Sequence, residues 1–186
     1  RLIESAGALD RRQQALDHIG AQAQAVLRRH GVRIGRLSVF MPALVRPRAA
    51  ETLAILRHAL APNHPRALFL PRAGALSAPL DEPRPWAELA AAGYRGCGRI
   101  ALRFDIVERL AEALAAPEPA AEAALARLIG RPSRDLAGVL NALGYRRIEH
   151  LEGARWSAPP PRRAPTPRLN EQSPFAALAE RMPNPP

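Results

Sequence analysis

Proline fixes φ and lacks a backbone donor, so wherever it stands regular structure must start, stop or bend. This chain carries 20 prolines, and they cut it into short runs. Pro42 closes a stretch in which Val32 and Ile34, then Leu37, Val39 and Met41, alternate as short strands do, with a break at Gly35. Pro47 suits the first turn of a helix, "PRAAETLAILRHAL", in which Leu53, Leu56 and Leu60 share a face. The six prolines from Pro62 to Pro85 leave few periodic residues between them, so 62–84 reads as a linker wrapped on the surface. Beyond Pro159, "PPPRRAPTPRLNEQ" has almost no apolar content and reads as disordered.

The runs between prolines are mostly helical in period. "RLIESAGALD" reads as the tail of an upstream helix, with a fresh start at Asp10, where Gln13 completes a capping-box-like pair. Leu16, Ile19, Ala23, Val26 and Leu27 then recur at helical spacing until Gly31. In the second half "PWAELAAAG" is a short helix and "GRIALR" a strand; Asp105 is placed to cap a helix with Ile106, Leu110 and Leu114 on one side. "PAAEAALARLIG" is a further helix. "GRPS" turns the chain into "RDLAGVLNALG", whose Leu136, Val139, Leu140 and Leu143 form one stripe. A hairpin follows: Tyr145 to His150, a Leu-Glu-Gly turn, then Ala154 to Ser157. Two helices, a short glycine-containing turn and a hairpin are the element order of a winged helix-turn-helix. The expected fold class is therefore mainly α with short β-hairpins (α+β). A helical N-terminal module at 1–61 precedes the linker; a winged-helix-like module at 85–158 and a tail at 159–186 follow. With only 4% aromatic residues against 47% hydrophobic, the core must be built from Leu, Val, Ile and Ala in closely packed small helices.

One pattern occurs twice. Leu89 to Arg95 reads Leu-Ala-Ala-Ala-Gly-Tyr-Arg, and Leu140 to Arg146 reads Leu-Asn-Ala-Leu-Gly-Tyr-Arg. If each glycine is the left-handed residue past a helix end, the tyrosine packs back on the leucine of the last turn, as in a Schellman motif. That accounts for Gly and Tyr; neither capping nor packing demands a charge at Arg95 or Arg146.

The chemistry is narrowed by what is missing. There is no lysine: all 27 basic residues are arginine and the formal charge is +10. A P-loop needs its lysine, and Schiff-base enzymes need a lysine amine. The single cysteine, Cys97, allows no disulfide framework and no cysteine zinc site within the chain. His18, His30, His58, His64 and His150 show no ligand spacing with Asp, Glu or Cys, so no metal and no catalytic residue is nominated. Without 18 consecutive apolar residues or a signal peptide, the chain is expected to be soluble and cytoplasmic, with no membrane partner. Its first residue, Arg1, suggests a fragment of a longer protein.

Arginines gather in two places. From Arg131 to Arg168 eight of them stand against Asp135, Glu149 and Glu152, which suits phosphate neutralisation without base reading. The outward residues of the second helix, Arg134, Gly138 and Asn141 beside Asp135, do not favour base recognition. In the N-terminal half Arg28, Arg29, Arg33, Arg36, Arg46, Arg48 and Arg57 face only Glu51, and Arg33 and Arg36 flank Gly35 so as to offer two forks to one backbone. A solvated arginine surface, or pairing with an acidic upstream domain, explains the same residues.

"GVRIG" at Gly31 to Gly35, "PALVRP" at Pro42 to Pro47, "GYR" at Gly93 to Arg95, "DIVERLA" at Asp105 to Ala111, "LGYR" at Leu143 to Arg146 and the closing "SPFAALAERM" together resemble the C-terminal region of bacterial relatives of the mitochondrial degradosome RNA helicase, superfamily-2 ATP-dependent enzymes. Arg46 stands where that family has lysine, which keeps the charge. The resemblance implies a parent helicase whose ATP and Mg2+ are handled by upstream motor domains; no position here matches the Walker lysine, the Asp-Glu-x-His-type motif or the arginine finger, and no cofactor is expected in this chain. It implies an accessory region that docks 1–61 on the motor and lays a basic surface along single-stranded RNA or DNA. Arg33, Arg36, Arg95, Arg146, Arg147 and Arg155 are the expected backbone contacts, with Trp156 a stacking platform or a core residue. The rival reading is a protein-interaction module in which Phe175, Leu178 and Met182 dock on a nuclease or another partner.

Overall fold

The computed structural model describes residues 2, 4–12, 19–61, 67–118, 120–150 and 153–158. The fold is mixed α+β. The chain runs β1 (Ala8–Asp10), α1 (Ala21–Arg29), β2 (Arg33–Ile34), β3 (Ser38–Phe40), α2 (Pro42–Val45), α3 (Pro47–Ala59), β4 (Ser77–Pro79), α4 (Trp86–Ala91), β5 (Tyr94–Cys97), β6 (Ile100–Arg103), α5 (Phe104–Leu114), α6 (Glu122–Ile129), α7 (Ser133–Ala142), β7 (Arg146–His150) and β8 (Gly153–Ser157). Three small antiparallel sheets result, in the orders β1-β3-β2, β4-β6-β5 and β7-β8.

The first strand departs from the sequence expectation. "RLIESAGALD" does not end a helix. Ala6 (φ 59°) and Gly7 (φ 83°) are both left-handed, which no helix continues through. Ala8 to Asp10 then pair with Phe40 to Ser38. All three residues of β1 are buried, and their partner strand lies 30 residues away in sequence, beyond the reach of local periodicity. The capping pair at Asp10 and Gln13 does not arise from this geometry, because Asp10 is already a strand residue; Gln13, Leu16 and His18 lie outside the described residues.

The stretch expected as linker is partly structural. β4 joins β6 with Ala78 opposite Ala101, and Leu80, Leu68 and Phe69 pack with the core of α4 and β5. Residues 62–66 of that stretch, including His64, lie outside the described residues. Two clusters make up the core. One gathers Leu37 from the β2–β3 turn with the apolar stripes of α5, α6 and α7; the other gathers Ala8 and Phe40 with Ala54, Leu89, Tyr94 and Phe104. Residues from both halves of the chain thus meet in each cluster. Ile106, Leu110 and Leu114 of α5 and Leu136, Val139, Leu140 and Leu143 at α7 are buried, as their spacing predicts.

Helix α3 turns its other side inward. The buried residues are Ala50 and Ala54, whose small side chains allow close approach to α4, while Leu56 and Leu60 are 54% and 84% exposed. The leucines do share a face, and it is the outer one. Asp105 also differs from its expected role. Helix α5 begins at Phe104 with Arg103 at the cap position. Asp105 sits in the first turn, where a carboxylate complements the helix dipole, and accepts two hydrogen bonds from the Arg103 guanidinium.

The Gly-Tyr pattern behaves as a helix stop. After α7, Gly144 has φ 88°. The Tyr145 amide donates to Leu140 O at 2.9 Å and the Gly144 amide to Asn141 O at 2.9 Å, the two bonds of a Schellman motif. The same pair of bonds ends α6 at Gly130 and α1 at Gly31. At α4 Gly93 has φ 82° and donates to Ala90 O at 3.0 Å.

Candidate nucleic-acid interface

The β2–β3 turn is the most tightly held loop near the arginines. Gly35 N donates to Ser38 O at 2.9 Å. Gly35 O accepts from Arg11 Nη1 at 2.9 Å, and Leu37 O accepts from Arg95 Nη1 at 3.1 Å. From below, the Glu108 carboxylate of α5 accepts the Arg36 amide at 2.6 Å and the Leu37 amide at 3.2 Å. A Cβ at Gly35 would overlap that carboxylate, so glycine is what lets the helix and the turn approach. Glu108 is only 6% exposed, and burial pushes its carboxyl above the usual glutamate range despite the amide hydrogen bonds that favour the ionised form.

Arg33 and Arg36 are both exposed on this turn, but they face different neighbours. Arg33 lines an open groove with Arg28 from the end of α1 and Arg109 from α5, over a floor that includes Glu108. Glu112 and Asp105 lie on the same groove. Arg36 lies toward Tyr145. Burial raises the Tyr145 hydroxyl pKa, while the charges of Arg36, Arg12 and Arg95 pull it down. Arg12 also donates to Leu143 O at 3.4 Å, at the end of α7. The N-terminal turn and the start of β7 therefore form one neighbourhood, with Arg146 next in sequence after Tyr145.

The hairpin sorts its own arginines. Ile148 is opposite Arg155, Arg146 opposite Ser157 and Arg147 opposite Trp156. Cross-strand partners project from the same face of a sheet, so Arg146, Ile148 and Arg155 share one face and Arg147 and Trp156 the other. The Trp156 face packs inward: the ring is partly buried against the α5–α7 core, and its Nε1 donates to Glu122 Oε1 at 3.3 Å. Arg147, itself exposed, approaches Glu149 at 3.6 Å. Ile148 is 43% exposed on the outer face. Arg146 and Arg155 are also exposed.

Arg95 has a different place from the other expected contacts. It is 7% exposed. Its Nη2 meets Asp10 Oδ2 at 2.6 Å, its Nη1 reaches Leu37 O and lies 3.4 Å from Ser38 Oγ, and its guanidinium lies 5.6 Å from the Trp86 ring centroid. Such a group fixes the interior and is not presented to a phosphate. Nearby Cys97 is buried too; burial pushes its thiol up to about 12, against the pull of Arg95, so it carries no thiolate near neutral pH. Phe175, Leu178 and Met182 lie outside the described residues.

Sequence reasoning missed Asp10 as the partner of Arg95, and it missed Arg12, Arg109 and Glu108 as members of this surface. "DIVERLA" carried a signal for Glu108: it falls among Ile106, Val107, Leu110 and Ala111, and a charged residue in so apolar a stretch calls for a buried partner. Among the described residues no three His, Cys, Asp or Glu side chains gather as a metal site requires. No described helix is long and apolar enough to cross a membrane. Comparison with known proteins finds no matching family model, no matching curated protein and no matching solved structure.

Proposed function

We propose that this chain is the C-terminal accessory region of a superfamily-2 ATP-dependent helicase, with a winged-helix-like unit at α5–β8 that contacts single-stranded RNA or DNA through its backbone, without base selection. The observation that carries this reading is the meeting of Arg36 and Arg12 with Tyr145 at the strand whose outer face bears Arg146 and, across the hairpin, Arg155. Arginine forks spaced along one surface match a run of phosphates, and such contacts are sequence-independent. The exposed Val26, Ile55, Leu56 and Leu60 support a further part of the reading, that 1–61 docks on the upstream motor. ATP and Mg2+ belong to that motor, outside this chain. In the cell this places the protein in the cytoplasm.

The test is the binding of single-stranded oligonucleotides as a function of salt. Arg146→Ala with Arg155→Ala is expected to weaken binding to every sequence alike. The slope of log K against log salt should fall by about 1.4, since each lost single-strand phosphate contact removes about 0.7. Arg147→Ala, on the inner face beside Glu149, should change little. A double variant that keeps the parent slope would remove the hairpin from the interface.

The exposed α3 leucines also favour a second reading, a protein-interaction surface that recruits a nuclease or another partner. A pull-down that loses its partner on Leu56→Ser with Leu60→Ser, with single-strand binding unchanged, would support it.

A further inference from the structure

The arginines of the β2–β3 turn stand on a buried acid. Glu108 is one of the few charged side chains in the core, and it belongs to a helix otherwise packed with Phe104, Ile106, Val107, Leu110 and Leu114. A carboxylate in such a place costs desolvation unless hydrogen bonds offset it, and its carboxyl remains harder to ionise than usual. A glutamine or an apolar residue would meet the demands of packing with less cost. What the carboxylate does here is accept the two successive amides of Arg36 and Leu37, an arrangement of backbone donors that suits an anion. Meanwhile the carbonyls on either side, Gly35 O and Leu37 O, are held by Arg11 and Arg95. The turn is thus gripped from both its donor and its acceptor sides, while Arg33 and Arg36 extend from it into solvent.

We infer that Glu108 is a positioning residue for nucleic-acid binding, holding the β2–β3 turn so that Arg33 and Arg36 meet successive phosphates of a single strand. The inference rests on the proposed function above. A pre-set turn saves the ordering cost that a flexible loop would incur on binding. Glutamine at position 108 offers one acceptor oxygen, and its amide N–H groups would face the backbone donors, so the turn loses its anchor while the helix keeps its shape.

A double-mutant cycle on the full 186-residue chain tests this, read by titration of a fluorescently labelled oligouridylate. Arg33→Ala with Arg36→Ala is expected to weaken binding roughly tenfold through lost phosphate contacts. Glu108→Gln should reproduce most of that loss in the parent background and add nothing once the two arginines are gone. Its thermal unfolding shift should be the same in both backgrounds, which separates positioning from general loosening. If Glu108→Gln fails to fold, Glu108→Asp, which keeps the charge but withdraws it by one methylene, replaces it in the same cycle. Should the arginine pair weaken binding while the Glu108 variant binds like the parent, or should the two losses simply add, the positioning role is wrong and the interface stands. Should the parent show no salt-dependent binding to the oligonucleotide, the proposed function falls and the role of Glu108 falls with it.

Discussion

Leu89 to Arg95 and Leu140 to Arg146 are near copies in sequence, and they agree in the structure as far as the tyrosine. Each glycine is left-handed, each tyrosine is buried and each leucine lies in the core. They part at the next residue. Arg95 enters β5 and is buried against Asp10, Leu37 and Trp86, whereas Arg146 enters β7 and stays on the outer face of the hairpin. Helix termination is decided within six residues, by φ and by amide-to-carbonyl bonds. The fate of the arginine is decided by whatever the following strand lies against: β1 and β3 in the first copy, solvent in the second. The same tripeptide thus serves the interior in one place and the surface in the other.

The largest effect that sharpens this contrast is expected from Arg95→Ala. It leaves Asp10 buried beside an empty space, and breaking a buried pair by removing one partner costs about 3–5 kcal/mol; urea denaturation measures it. An Arg95→Ala chain as stable as the parent would make the two copies equivalent after all. Next come the glycines. Alanine at either site must adopt a left-handed conformation, a cost of about 1–2 kcal/mol. Gly93→Ala should lie at the upper end or above it, because its Cβ would come 2.9 Å from Val45 O. Equal losses at the two glycines would mean that α2 yields to the new side chain.

A smaller effect depends on pH and concerns the floor beneath the second copy. The pKa of Glu108 is raised in the folded chain above its ordinary 4.5, so the folded state holds this proton more tightly than the unfolded one. Its contribution to stability is therefore fully present below the unfolded value and is lost as pH rises through the folded value. The stability of the parent relative to Glu108→Gln should fall as pH is raised across that window, followed by paired denaturation curves. A difference that does not vary with pH would mean that Glu108 titrates as it does in the unfolded chain.

Much of the fold was legible because it is local. The stripes of α5 and α7, the stops at Gly31, Gly93 and Gly144 and the hairpin after Tyr145 all follow from spacing and glycine chemistry within a dozen residues. What was not legible depends on distant partners. Ala8 to Asp10 form a strand only because Ser38 to Phe40 lie beside them, and Ala50 and Ala54 are the packed face of α3 only because α4 comes close. The candidate site divides in the same way. Composition and clustering pointed to Arg33, Arg36, Arg146 and Arg155, which are exposed. No pattern within the Gly-Tyr-Arg repeat distinguishes Arg95, since Asp10 stands 85 residues away from it.

The contrast between the copies is tested most directly by Arg146→Ala alone, measured for both stability and single-strand binding. Surface position predicts a stability within about 0.5 kcal/mol of the parent. Backbone contact predicts weaker binding with a salt slope lower by about 0.7. A variant that loses stability while binding with the parent's slope would show that the second arginine, like the first, belongs to the fold.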